Sequence, residues 1–172
     1  MAEQPAFVLD TFALLAYLKD EPAAARIEQV LEQAGKGKCR LFASVMNLGE
    51  LLYITERRGG ISKAQDALAL IRQLPIEILP ADEQAVFAAA HIKASHALSY
   101  ADAFAVAAAM HVKAVLLTGD PEFKSVEHLI QVEWLAKEKW KIGMKTTEYT
   151  EPVSKLLSYG EADWDKKNRK KK

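Results

Sequence analysis

The stretch LLTGDPEF, residues 116–123, ends an apolar run with an acid. Ala114 to Leu117 read as a buried strand that breaks at Thr118-Gly119 and delivers Asp120 to the chain's surface. One acid at a strand end is ordinary, but AFVLD (6–10) repeats the arrangement with Asp10. CRLFA (39–43) and IEIL (76–79), the latter between two prolines, read as further strands, and HLIQVEWL (128–135) holds a fifth.

Helical spacing fills the intervals. TFALLAYLK (11–19) follows the first strand with Thr11 as an N-cap, and Pro22 opens a second helix that ends at Gly35. Ser44 caps a helix that runs to Arg58 and stops at Gly59-Gly60, and SKAQDALALIRQL (62–74) forms the next. Asp82 caps a helix to about His96, and an alanine-rich helix spans Tyr100 to Val112. Short apolar strands alternating with helices predict an α/β fold of three layers, α/β/α, around a central parallel sheet of four to five strands. Ligands bind such sheets beyond the carboxyl ends of the strands, where Asp10 and Asp120 stand.

Half of the 172 residues are hydrophobic and 27% are charged, a profile that suits one globular domain with a real core. No apolar run reaches the roughly 18 residues of a membrane span. The N-terminus carries no basic region before its short apolar segment, so no secretion signal is expected and cytoplasm is the default. Cys39, the single cysteine, excludes an internal disulfide and a multi-cysteine zinc site. The zero net charge is unevenly spread: residues 1–135 hold 12 Lys and Arg against 17 Asp and Glu, and residues 136–172 hold 11 against 6. The expected organisation is a domain over 1–135 and a basic, partly disordered extension over 136–172.

Four acids are isolated within apolar segments. Asp10 is the only formal charge between Glu3 and Lys19, Glu50 between Arg40 and Glu56, and Asp102 between Lys93 and Lys113. Asp120 follows a neutral run from Ala114 to Gly119. Asp10 and Asp102 each also suit the capping of a neighbouring helix. Glu50 is harder to explain that way, because its helix is apolar nearly all round; its neighbours there are Met46, Asn47, Tyr53 and Ile54. These segments contain no Lys or Arg to pair with the acids. If the four converge, two carboxylates about 5 Å apart repel by roughly 3 kcal/mol at an effective dielectric near 20. A divalent cation would relieve that repulsion, and all-oxygen ligands favour Mg²⁺ or Mn²⁺.

Convergence is what a family resemblance supplies. VLDTFALLAYL, SVMNLGELLY, LSYADAFAVAAAM and LLTGDPEF occur in the order found in PIN-domain proteins, and the chain resembles most the VapC-type ribonuclease toxins of toxin–antitoxin pairs. The resemblance covers roughly residues 6–135. It implies catalytic and metal-holding roles for Asp10, Glu50, Asp102 and Asp120, with Thr11, Ser44 and Thr118 as polar companions. It also implies Mg²⁺- or Mn²⁺-dependent hydrolysis of single-stranded RNA, a homodimer and a cognate antitoxin over the N-terminal helices. The alternatives are a PIN-domain nuclease that processes RNA without an antitoxin, and a non-catalytic RNA-binding module. The extension, ending in WDKKNRKKK, exceeds what a minimal toxin carries and is expected either to solubilise the chain or to attract RNA phosphates. His91, His96, His111 and His128 lack metal spacing, and Gly59-Gly60 is not a phosphate-binding loop.

Overall fold

The computed structural model describes residues 4–135; the basic extension lies outside the described residues. Five strands form an all-parallel sheet in the order β3-β2-β1-β4-β5. The central strand β1 (Ala6–Leu9) lies between β2 (Arg40–Ser44) and β4 (Val115–Thr118). The short strands β3 (Glu77–Leu79) and β5 (Val132–Trp134) form the edges. Pro75 and Pro80 bracket β3, as befits an edge, where a lost N–H donor does least harm.

Alternation within the strands builds two cores. Leu9, Leu41, Ala43 and Leu117 face one side and pack with Leu14, Ile27, Val30 and Leu51. Val8, Phe42 and Leu116 face the other and pack with Phe104, Val106, Phe123 and Val126. Helices α1 (Thr11–Leu18), α2 (Ala24–Gly35) and α3 (Val45–Ile71) supply the first layer. Helices α4 (Glu83–Ser95) and α5 (Tyr100–Val112) and the 3-10 helix Pro121–Val126 supply the second. The expected three-layer arrangement is therefore present. In α5 every residue from Asp102 to Ala109 is buried, and its small side chains let it lie against β1, β2, β4, α3 and α4. On the opposite flank the Arg26 guanidinium grips the Glu133 carboxylate with two nitrogens, the Nη2 bond at 3.0 Å, tying α2 to the edge strand β5.

Local chemistry shifts several expected boundaries. Asp10, not Thr11, is the N-cap of α1: its side chain accepts from the Ala13 N–H at 2.7 Å, and Thr11 becomes the first helical residue. Pro22 precedes α2 by two residues instead of opening it. At Gly59-Gly60 the helix that Ser44 starts does end, as expected, and a second helical stretch follows within α3. Gly60 takes a φ of 78°, which breaks the helix for one residue, and the chain then resumes helical geometry to Ile71. Most apolar residues of α1 and α2, the helices over which the resemblance places an antitoxin, pack into the first core. Leu14, Leu15, Ile27, Val30 and Leu31 are buried, leaving Tyr17 and Leu18 half-buried. Among the described residues no helix is long and apolar enough to cross a membrane.

Candidate active site

The strand order reverses between β1 and β4: the chain builds outward from β1 through β2 to β3, then returns to β1's other side. Sheets of this kind open a crevice at such a switch point. Register aligns Leu9 with Leu117, so the next residues along, Asp10 and Thr118, stand side by side at the carboxyl ends. The Thr118 hydroxyl donates to Asp10 Oδ2 and accepts from the Asp120 N–H at 2.9 Å. Asp120 Oδ1 in turn caps the 3-10 helix through the Glu122 N–H at 2.9 Å. Thr118 is thus a hinge pin between two of the acids. Between it and Asp120, Gly119 lies so close to α1 that a Cβ there would meet the outer edge of the Phe12 ring at 2.4 Å, so a side chain at this position would have to displace that ring.

Helix starts deliver the other two acids. Ser44 Oγ accepts from the Met46 N–H at 3.2 Å and starts α3, which carries Glu50. Ser44 therefore serves the helix bearing an acid and makes no hydrogen bond to the acids themselves. Ser99 Oγ accepts from the Asp102 N–H at 3.0 Å and starts α5. Thr11 donates to Glu50 Oε2 at 2.6 Å, joining the starts of α1 and α3. The Tyr53 hydroxyl reaches Glu50 Oε1 at 3.4 Å.

The four acids feel one another. Burial, above all, pushes the Asp10 carboxyl from 3.8 up to about 8. The Thr118 hydroxyl and the Ala13 N–H oppose this, while the charges of Asp102 and Asp120 add to it. Burial also dominates at Asp102, raised to about 6; Ser99 works against the rise, and Glu50, Asp120 and Glu122 add to it. None of the four acids forms an ion pair with Lys or Arg among the described residues. Coupled carboxylates without a base are a donor set suited to a hard divalent cation. As the side chains stand, no three His, Cys, Asp or Glu among the described residues are close enough to hold a metal ion, so the carboxylates would have to close on it.

The sequence reading overlooked Asn47. It is fully buried, donates to both Thr11 and the Ala101 carbonyl, and leaves Oδ1 without a partner. Its signal was a polar side chain one turn before Glu50 in an otherwise apolar helix. Ser99 was overlooked too, although a serine immediately before a helix that opens Tyr-Ala-Asp is a legible cap. The four histidines stay outside the cluster: His96 lies against His128 with ring centroids 5.4 Å apart, and His91 and His111 are exposed.

Residues 7–129 match the PIN domain family. The chain belongs to the PIN domain family. Solved structures share the PIN fold seen here. A chain of VapBC2 from Rickettsia felis, solved bound to a promoter DNA fragment, superposes with a TM-score of 0.62 at 16% identity, covering 76% of this chain and 99% of that one. A chain of DNA-bound VapBC from Salmonella typhimurium gives 0.61 at 23%, covering 76% and 98%. VapC20 from Mycobacterium tuberculosis, a sarcin-ricin loop cleaving toxin, gives 0.53 at 18%, covering 69% and 92%. No curated protein matches the sequence. PIN domains are a nuclease family that generally works with divalent metal ions, and the oxygen donors gathered at the β1–β4 switch suit that chemistry.

Proposed function

We propose that the chain is a metal-dependent endoribonuclease that hydrolyses single-stranded RNA, acting as the toxin of a VapBC-type toxin–antitoxin pair. The observation that carries this reading is the placing of Asp10, Glu50, Asp102 and Asp120 about the sheet's switch point, linked by Thr118 and Thr11 and with no ion-paired Lys or Arg among the described residues. When bound, Mg²⁺ or Mn²⁺ supplies a water of lowered pKa and neutralises charge that develops on the phosphate. The chain's own residues hold the geometry. Asp10 is fixed from two sides by Ala13 and Thr118, Glu50 is oriented by Thr11, and the start of α5 presents Asp102. Water adds to phosphorus as the bond to the 3′ oxygen breaks, leaving a 3′-hydroxyl and a 5′-phosphate.

An antitoxin partner is part of the same reading, supported by the VapBC complexes among the structural relatives, and a homodimer is proposed with it. The basic extension is proposed to add phosphate attraction that the acidic domain lacks. Deleting residues 166–172 is expected to weaken RNA binding and flatten its salt dependence without changing the metal requirement. A second reading, RNA processing without an antitoxin, draws on the extent of the match: VapBC chains are covered almost end to end while about a quarter of this chain lies outside them.

The deciding experiment is sequencing of RNA ends after pulsed expression of wild type and Asp102→Asn, with growth followed in parallel. Discrete 5′-phosphate ends and slowed growth with wild type alone, reversed by a small protein encoded next to this one, are expected. Unimpaired growth with abundant wild-type protein would overturn the toxin reading, and identical RNA ends in both strains would overturn the nuclease reading.

A further inference from the structure

Asn47 lies fully buried in the first turn of α3, three residues before Glu50. Its side-chain nitrogen donates to Thr11 Oγ1 at 3.1 Å and to the Ala101 carbonyl at 3.2 Å. The carbonyl can only accept, so the amide cannot be turned over without losing that bond; its orientation is fixed. The Thr11 hydroxyl, already accepting from Asn47, has one proton to give. The Glu50 carboxylate takes it at 2.6 Å in preference to the Asn47 backbone carbonyl at 3.4 Å. On the other side, the peptide group between Ala101 and Asp102 is held at both ends. Its carbonyl accepts from Asn47 and its N–H donates to Ser99 Oγ.

One buried amide therefore joins the starts of α1, α3 and α5, the helices that follow or carry Asp10, Glu50 and Asp102. This comes at a cost, because Asn47 Oδ1 is buried without a hydrogen-bond partner. An apolar side chain would avoid the cost, as Leu48 and Leu51 do beside it. What Asn47 adds, and they cannot, is two donors.

We infer that Asn47 is a positioning residue for the acid cluster: it orients the Thr11 hydroxyl toward Glu50 and ties α3 to the peptide group before Asp102, so that the two carboxylates are spaced for a divalent cation. This rests on the metal-dependent reading above, and it concerns residues that set the site without belonging to it. Partners of this outer kind typically change metal affinity about 10- to 100-fold when removed.

The test is calorimetric titration of the full chain with Mn²⁺, alongside thermal melts in EDTA, for wild type, Asn47→Ala, Thr11→Val, the double variant and Glu50→Gln. Asn47→Ala and Thr11→Val are each expected to weaken Mn²⁺ binding about tenfold. The double variant should lose no more than Asn47→Ala alone, because Asn47→Ala already releases the Thr11 hydroxyl that Thr11→Val removes. Unchanged Mn²⁺ affinity in folded Asn47→Ala, whatever its melting temperature, would overturn the inference, as would losses that multiply in the double variant. Should Asn47→Ala fail to fold, Thr11→Val carries the same question: unchanged affinity there overturns it too. Glu50→Gln separates the two levels. If it binds Mn²⁺ like wild type, or if wild type does not bind, the metal site itself falls and this inference with it. If Glu50→Gln loses affinity while Asn47→Ala and Thr11→Val keep theirs, only the positioning role falls.

Discussion

Asp10 and Asp120 both follow a strand of the same sheet and both cap the helix that comes next, yet they live in different media. Asp10 is 1% exposed and, with Asp102 at 8%, forms the floor of the cluster. Asp120 and Glu50 are half-buried and form its rim. On the floor, loss of hydration outweighs every hydrogen bond offered, and the carboxyls are driven toward their neutral forms. The same local motif, an acid ending a strand, thus gives a proton-holding group at one place and an open one at the other. The floor is where a cation would change most, since it would replace protons there.

Removing the floor's charge should have the largest effect. Asp10→Asn or Asp102→Asn is expected to cut Mn²⁺-supported RNA cleavage by more than about a hundredfold, beyond the loss of an outer partner. Melting temperatures without metal should be equal or higher, because each change keeps the shape and removes a carboxyl whose ionisation burial opposes. Full activity in both purified variants would erase the distinction between floor and rim.

Stability against pH separates the two floor residues from each other. Both have folded-state values above the ordinary 3.8, so between 3.8 and the raised value the folded state holds more protons and stability falls as pH rises. The Asp102 share of that loss ends near pH 6 and the Asp10 share continues to about pH 8. Metal-free urea denaturation should therefore show a decline between pH 6 and 8, of at most about 1.4 kcal/mol per pH unit, that Asp10→Asn removes and Asp102→Asn preserves. The same decline in both variants would break the assignment.

Cation binding should cancel part of that decline. At pH 8, Mn²⁺ at about a hundred times its dissociation constant is expected to restore about 2.7 kcal/mol, with proton release on binding and reversal by EDTA. Calorimetry in buffers of different ionisation enthalpy measures the protons. Absence of release would mean that the cation sits on the rim alone.

The finest distinction concerns Thr118, whose hydroxyl lowers the Asp10 value and anchors the Asp120 N–H. Thr118→Val should destabilise the protein by about 1 kcal/mol and move the alkaline end of the stability decline to higher pH. An unmoved end would show that burial alone sets Asp10.

Of the acids that sequence reading picked out as isolated, Asp10 and Asp120 are joined through Thr118, and Glu50 is joined to the start of α1 through Thr11. Legibility came from contrast: a single charge in an apolar segment of a parallel α/β chain has few ways to be tolerated. The strands were legible because each is a short apolar run with turn residues around it, and α5 because its alanines leave no other use than close packing. Helix junctions were less so. Whether Asp10 or Thr11 caps α1 depends on which side chain reaches the Ala13 N–H, whereas the break at Gly59-Gly60 was legible from the glycines themselves.

Read in order, the chain already holds the alternation of elements, the isolation of four acids in apolar segments and the lack of a basic side chain beside each in the chain. Those are local properties, carried by composition and spacing. The closing of the layers sets which acids lie deep, lets Thr118 bridge Asp10 and Asp120, and lets Asn47 tie together three helix starts. Burial and hydrogen bonding between segments up to 108 residues apart arise from how the layers close on the sheet. A side chain's charge state follows from that enclosure, and no spacing along the chain encodes it.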